Sequence, residues 1–139
     1  MSRSIGELRE QLRAELKSAP FRPSSREALL ILSRVLGLSE AQVLAHPERP
    51  VEERDEERAL DLLARRLCGE PIAYLFGEKE FWGRSFFVDR RVLIPRPETE
   101  HLVECVLDLD LPDAPRLLEI GTGSGCLAVT LALEIANVQ

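Results

Sequence analysis

The chain contains no long hydrophobic run. Its wholly apolar stretches are a few residues long, far short of the ~20 residues that span a bilayer. The N-terminal "MSRSIGELRE" carries charges where a secretory signal needs an apolar segment. There is no excess of positive charge. The formal net charge is −6, with 12 Lys/Arg against 13 Asp/Glu in residues 1–75 and 6 against 11 in residues 76–139. Neither half as a whole offers a basic surface to a phosphate backbone, which argues against nucleic acid as the main partner and leaves room only for a local basic patch. Cysteine is scarce: Cys68, Cys105 and Cys126 are widely spaced and no C-x-x-C occurs. A disulfide framework and a zinc site are therefore not indicated, and each cysteine reads as a small buried hydrophobe in an apolar helical pattern. The two histidines have no ligand partner at metal spacing. These absences point to a soluble cytoplasmic protein without a metal.

The 139 residues, 45% of them hydrophobic, are enough for a packed core. Residues 1–75 read as helices. Ser4 and Glu7 stand at capping-box spacing before Ile5, Leu8, Leu12 and Leu16, which recur every three or four positions. Ser24 and Glu27 repeat that spacing before Leu29, Leu32, Val35 and Leu36, and Gly37 is a natural stop. Ser39 and Gln42 suggest a third start, closed by Pro47. A fourth helix runs from about 52 to 67, charged outside, with Leu60, Leu63 and Leu67 on one side. "IAYLFG" adds a short turn, and Tyr74 and Phe76 are expected to pack the bundle end. The whole implies a small all-α helical bundle.

After Gly77 the pattern changes. Gly83 between "EFW" and "SFFV" predicts a β-hairpin within a linker at 76–96, and "RVLI" a further strand. Phe81, Trp82, Phe86 and Phe87 are expected to pack between domains. "PRPETEHLVECVLDL" starts a helix, with Pro97 in its first turn and Glu98 and Glu100 at its positive end. "RLLEI" (116–120) reads as a short apolar strand, central and covered on both faces only where neighbouring strands pair with it. "GTGSG" is a loop, and "CLAVTLALEIA" is apolar on every side, which predicts a buried helix.

Strand, glycine loop and helix together form a cradle for an anion or a nucleotide cofactor. The spacing selects among cofactors. A dinucleotide fingerprint needs glycine or alanine where Cys126 stands, and a P-loop needs a lysine that is absent. The pattern present is E-x-G-x-G-x-G: Glu119, Gly121, Gly123 and Gly125. It fits the first motif of S-adenosylmethionine-dependent methyltransferases of class I, with a tight ligand-free turn as the alternative.

Three blocks extend the pattern: "GEPIAYLFGEKEFWG" (69–83), "VLIPRPETEHLVE" (92–104) and "LEIGTGSGCLAV" (118–129). In this order and spacing the chain resembles the PrmC/HemK family, the protein-(glutamine-N5) methyltransferases of peptide chain release factors, in its N-terminal portion. The resemblance implies an α+β chain. A substrate-recognition bundle (1–75) and a hairpin linker (76–96) would precede the first βα unit (97–139) of an incomplete class I, Rossmann-like domain. It implies transfer of a methyl group from S-adenosyl-L-methionine to the glutamine side-chain nitrogen in the Gly-Gly-Gln loop of class I release factors. Glu119, Gly121, Thr122, Gly123, Ser124 and Gly125 would hold the cofactor. Pro95, Arg96, Pro97, Glu98 and Thr99 would edge the cleft, with helix-start or ion-pair roles as the alternative for Arg96 and Glu98. The family's Asn-Pro-Pro-Tyr motif is absent, so no catalytic residue is expected in this chain. It reads as a part of a longer enzyme, inactive alone, that self-associates through the unpaired strand near 116–120. Two other readings are a protein-binding helical module and an adenine-N6 nucleic-acid methyltransferase.

Overall fold

A computed structural model describes residues 3–139. They form two compact units, the first ending at Phe76 and the second beginning at Gly77. Together they give an α+β chain whose one sheet among the described residues has two antiparallel strands.

The first unit holds α1 (Ile5–Lys17), α2 (Glu27–Leu36), α3 (Glu40–Ala45), α4 (Glu53–Leu67) and α5 (Ile72–Phe76). The Ser4–Glu7 capping box forms in full: the Ser4 amide donates to Glu7 at 2.8 Å, and the Glu7 amide donates to the Ser4 hydroxyl at 3.3 Å. The next two amides of α1 are satisfied from a distance. Ile5 donates to Arg49 O at 2.9 Å and Gly6 to Pro47 O at 2.8 Å. That approach explains Gly6, where a Cβ would lie 3.2 Å from both Cβ and O of Pro47. Gly37 closes α2 at φ +64°, and the Ser39–Gln42 box opens α3. Leu8, Leu12, Ile31, Leu32, Val43, Val51 and Ala59 are buried in one core, with α2 packed against α1, α3 and α4. Burying each leucine or isoleucine contributes about 1.5–3 kcal/mol. Phe76 packs at the edge of this core.

The expected capping box at Ser24 does not form as such. Arg26 is the cap residue of α2 and no side chain caps it. The Ser24 amide reaches Glu27 at 3.0 Å, but the Ser24 hydroxyl takes the Arg26 amide instead. Glu27 is drawn elsewhere: its buried carboxylate receives Arg66 of α4 at 2.7 and 3.3 Å, and the Arg66 guanidinium lies 4.0 Å from the Phe21 ring centre.

The second unit begins with the hairpin of β1 (Glu78–Phe81) and β2 (Arg84–Phe87), with Phe81 opposite Arg84. Its turn residues Trp82 and Gly83 both have positive φ, 52° and 69°, as a type I′ turn requires. Non-glycine residues hold this conformation at a cost of about 1–3 kcal/mol. Trp82 is held by its amide, which donates to Glu100 Oε1 at 2.8 Å, and by packing of its ring. A 3₁₀ turn (Pro97–Thr99) leads into α6 (Glu100–Leu107), and α7 (Cys126–Glu134) packs against α6. Phe81, Val103, Cys126 and Leu131 form the core here, with Trp82 and Phe86 against it. These aromatics therefore serve the second unit's own core, apart from Phe87, which is 71% exposed.

Several expectations fail in this unit. "RVLI" is no strand: it follows a turn at Asp89, whose carboxylate accepts the Arg91 amide, and no neighbouring strand pairs with it. Residues 116–120 are likewise not a buried strand, and Leu118 and Ile120 are almost fully exposed. One edge of this segment is nonetheless engaged. Gln139 donates to Pro115 O and accepts from the Leu117 amide, both at 2.9 Å, the alternation of a parallel ladder. The α7 helix is buried on one face only, since Val129 and Leu133 are exposed. Cys68 and Cys105 are exposed and only Cys126 is buried. Cys68 falls at the C-cap of α4, just past the stripe that faces the core. No helix among the described residues is long and apolar enough to cross a membrane.

Candidate cofactor site

The site is built from the extended segment ending at Glu119 and Ile120, the loop Gly121–Gly125, and the start of α7. The loop needs glycine for its backbone. Gly121, Gly123 and Gly125 have φ of 78°, 59° and 78°, a region that L side chains rarely adopt. Space is not the constraint: a Cβ at Gly121 would meet nothing within 4 Å, and at Gly123 only Gly121 O at 3.9 Å. The loop closes on itself through the Gly125 amide, which donates to Thr122 O at 2.9 Å, and Gly125 O accepts the first α7 bond from Val129. Gly121, Thr122 and Gly123 are exposed, and Ser124 and Gly125 half-buried. The loop thus presents main chain at the positive end of a nine-residue apolar helix.

Glu119 supplies the second feature. The oxygen Oε2 is buried and has no hydrogen-bond partner. Leaving such an atom unmade costs about 1–3 kcal/mol, more when it is charged. A carboxylate in this state is suited to a cationic group. Residues 119–125 therefore fit an amino-acid-like ligand, with an acceptor for its ammonium and bare backbone alongside. Among the described residues no three potential metal ligands cluster.

The second block lies differently. Pro95 is buried, and Arg96, in extended conformation (φ −93°, ψ 141°), precedes the 3₁₀ turn with Pro97 at its start. The Thr99 amide donates to Arg96 O at 3.0 Å. Arg96, Pro97 and Glu98 are exposed, and neither Arg96 nor Glu98 forms an ion pair among the described residues. No hydrogen bond or ion pair joins Pro95–Thr99 to the glycine loop. Each segment leads into one of two helices, α6 and α7, that pack together.

Spacing missed two ties within this unit. Glu100 accepts from the hairpin turn at Trp82, 18 residues away, and Arg84 Nη2 meets Glu134 Oε1 at 2.7 Å, 50 residues away. Only a non-glycine residue in the first turn position hinted at the former. His101 is exposed and pairs with Glu104 at 2.9 Å, and this hydrogen bond, with the charge behind it, raises the imidazole above its ordinary value.

A helical bundle forms the first unit, and a hairpin and a glycine-rich entry to a helix belong to the second. Comparison with known proteins gives the family: the PrmC N-terminal domain matches residues 7–77, and the chain belongs to it. The chain is 45% identical over 127 residues to a release factor glutamine methyltransferase of Nitratidesulfovibrio vulgaris, covering 91% of this chain and 43% of that protein. It is 46% identical over 118 residues to the one from Chlorobaculum tepidum (81% and 40%), and 51% identical over 114 residues to the one from Bordetella pertussis (81% and 42%). The chain thus spans less than half the length of the curated relatives it matches.

Proposed function

We propose that the chain is the N-terminal part of an S-adenosyl-L-methionine-dependent protein-(glutamine-N5) methyltransferase that acts on class I peptide chain release factors in the cytoplasm. The observation that carries this reading is the buried, unpartnered Glu119 oxygen beside three glycines of positive φ at the head of α7. The relatives named as release factor glutamine methyltransferases support the choice of substrate.

When bound, S-adenosylmethionine supplies a methyl group activated by its sulfonium. The residues here bind and orient. Glu119 accepts from an ammonium group, which relieves its unpaired oxygen. The backbone of Gly121, Thr122, Gly123, Ser124 and Gly125 lets the ligand approach α7 closely, and Pro95–Thr99 set the start of α6 at the cleft edge. Positioning matters because an amide nitrogen is a poor nucleophile, so holding it in line with the methyl group must supply much of the rate. The family's Asn-Pro-Pro-Tyr motif, whose groups would accept from the amide, does not occur in these 139 residues. Residues 1–75 act as the module that grips the protein substrate. An adenine-N6 reading has no observation in its favour, and the net charge of −6 opposes it.

The test joins residues 1–139 to the remainder of the Nitratidesulfovibrio vulgaris relative and measures methylation of a release factor by mass spectrometry. The expected result is one added methyl on the glutamine of the Gly-Gly-Gln loop, with no transfer by the 139 residues alone. A folded chimera that leaves release factors unmodified and methylates DNA would contradict the reading.

A further inference from the structure

Away from the glycine loop, the first unit carries an open groove of about 800 Å³ between the C-terminal half of α1 and the connection to α2. Its walls are of unlike character. Along α1 stand Arg13 and Lys17, both exposed, and Leu16 and Ala28 are buried beneath. The opposite wall is the segment 19–25, with Pro20, Phe21, Arg22 and Pro23. Lys17 and Arg22 form no ion pair among the described residues, and Arg13 has only a long one, 3.8 Å, to Glu10. The backbone amides of Phe21 and Arg22 donate to nothing among the described residues. In a protein of net charge −6, this groove gathers three cations against one carboxylate.

The proline-rich wall is also fixed in place. Phe21 lies 4.0 Å from the Arg66 guanidinium, Arg66 is held by the buried Glu27 carboxylate, and Glu27 in turn accepts the Ser24 amide at 3.0 Å. Pro20 and Pro23 restrict the backbone further. A preformed groove spares an incoming chain part of the ordering cost of binding.

We propose that this groove is a docking site for an extended acidic segment of a partner protein, carrying an apolar anchor between its carboxylates. Charge complementarity selects the occupant: Arg13, Lys17 and Arg22 face carboxylates, and the apolar floor takes the anchor. The proposal goes beyond the methyl-transfer reading. The groove lies wholly within the helical unit, and its test uses neither a methyl donor nor a release factor, so either reading can fail alone.

The test titrates the full 139-residue chain into a fluorescein-labelled peptide of glutamates around a central leucine pair, followed by anisotropy. A lysine-for-glutamate version and a single-stranded oligodeoxynucleotide serve as competing probes. The acidic probe is expected to saturate, to weaken as salt rises, and to weaken about tenfold or more in the double variant Lys17→Glu/Arg22→Glu. Arg54→Glu, on α4 outside the groove, is expected to bind as wild type does. Amide shifts in an NMR titration are expected at Arg13–Lys17 and Phe21–Ser24. Circular dichroism establishes that each variant is folded. No saturable binding, equal binding of the lysine probe, preference for the oligonucleotide, or an unchanged affinity in the double variant would overturn the proposal.

Discussion

The two units treat their apolar residues in opposite ways. The first buries twelve residues in one core and, among the described residues, leaves a single large hydrophobic, Leu44, exposed. The second buries four in its core cluster and exposes Phe87, Leu93, Leu118, Ile120 and Leu133 among others. Amphipathic helices with one apolar stripe can close a core among themselves. Segments apolar on more than one face, such as 116–120 and α7, present more surface than four short elements cover. Stability of the first unit should therefore depend on single core residues, and that of the second should barely feel its exposed ones.

The largest expected effect is in the first core. Leu12→Ala or Ile31→Ala should cost about 2–5 kcal/mol in urea denaturation, whereas Leu118→Ala should change stability by less than about 0.5 kcal/mol. Equal costs would erase the contrast. Next is the Glu27–Arg66 pair, whose side chains are 9% and 13% exposed. Glu27→Ala leaves a buried guanidinium unpaired and should cost about 3 kcal/mol, and Glu27→Leu with Arg66→Met should recover most of it. Thermal unfolding of the single and double variants checks this.

Caps come third. Ser4→Ala and Ser39→Ala should each cost about 1 kcal/mol by chemical denaturation, since both boxes are formed. Ser24→Ala should cost clearly less, because its hydroxyl caps no helix. The smallest effect is electrostatic. The hydrogen bond that His101 donates to the Glu104 carboxylate raises the imidazole pKa, so the stabilisation it adds is fully present below the usual imidazole pKa and lost as pH rises through the raised value. An NMR titration should place the His101 midpoint above about 6.5 in the wild type and lower it in Glu104→Gln.

What could be read in the residues follows the range of the interactions. The boxes at Ser4 and Ser39 involve partners three residues apart, and spacing finds them. The same spacing misleads at Ser24 because Glu27 answers to Arg66, 39 residues on. Glycine backbones at 121, 123 and 125 were legible because positive φ is a property of one residue. Strands were not: "RVLI" and "RLLEI" have strand composition, but a strand exists only with a paired neighbour, and composition does not supply one. Cysteine exposure failed similarly, since Cys105 belongs to an apolar helix yet lies off its buried face. Glu119 was singled out by pattern, whereas the burial of its Oε2 without a partner depends on packing that no spacing shows.

The most direct measurement is calorimetric titration of S-adenosylmethionine into the chimera that joins this chain to a relative's remainder, set against its Glu119→Gln variant. Binding by the parent, weakened about tenfold or more in the variant, is the expected result, since a charge-assisted bond contributes about 1.5–3 kcal/mol. Equal affinity in the two proteins would contradict a donor held by Glu119 at the head of α7.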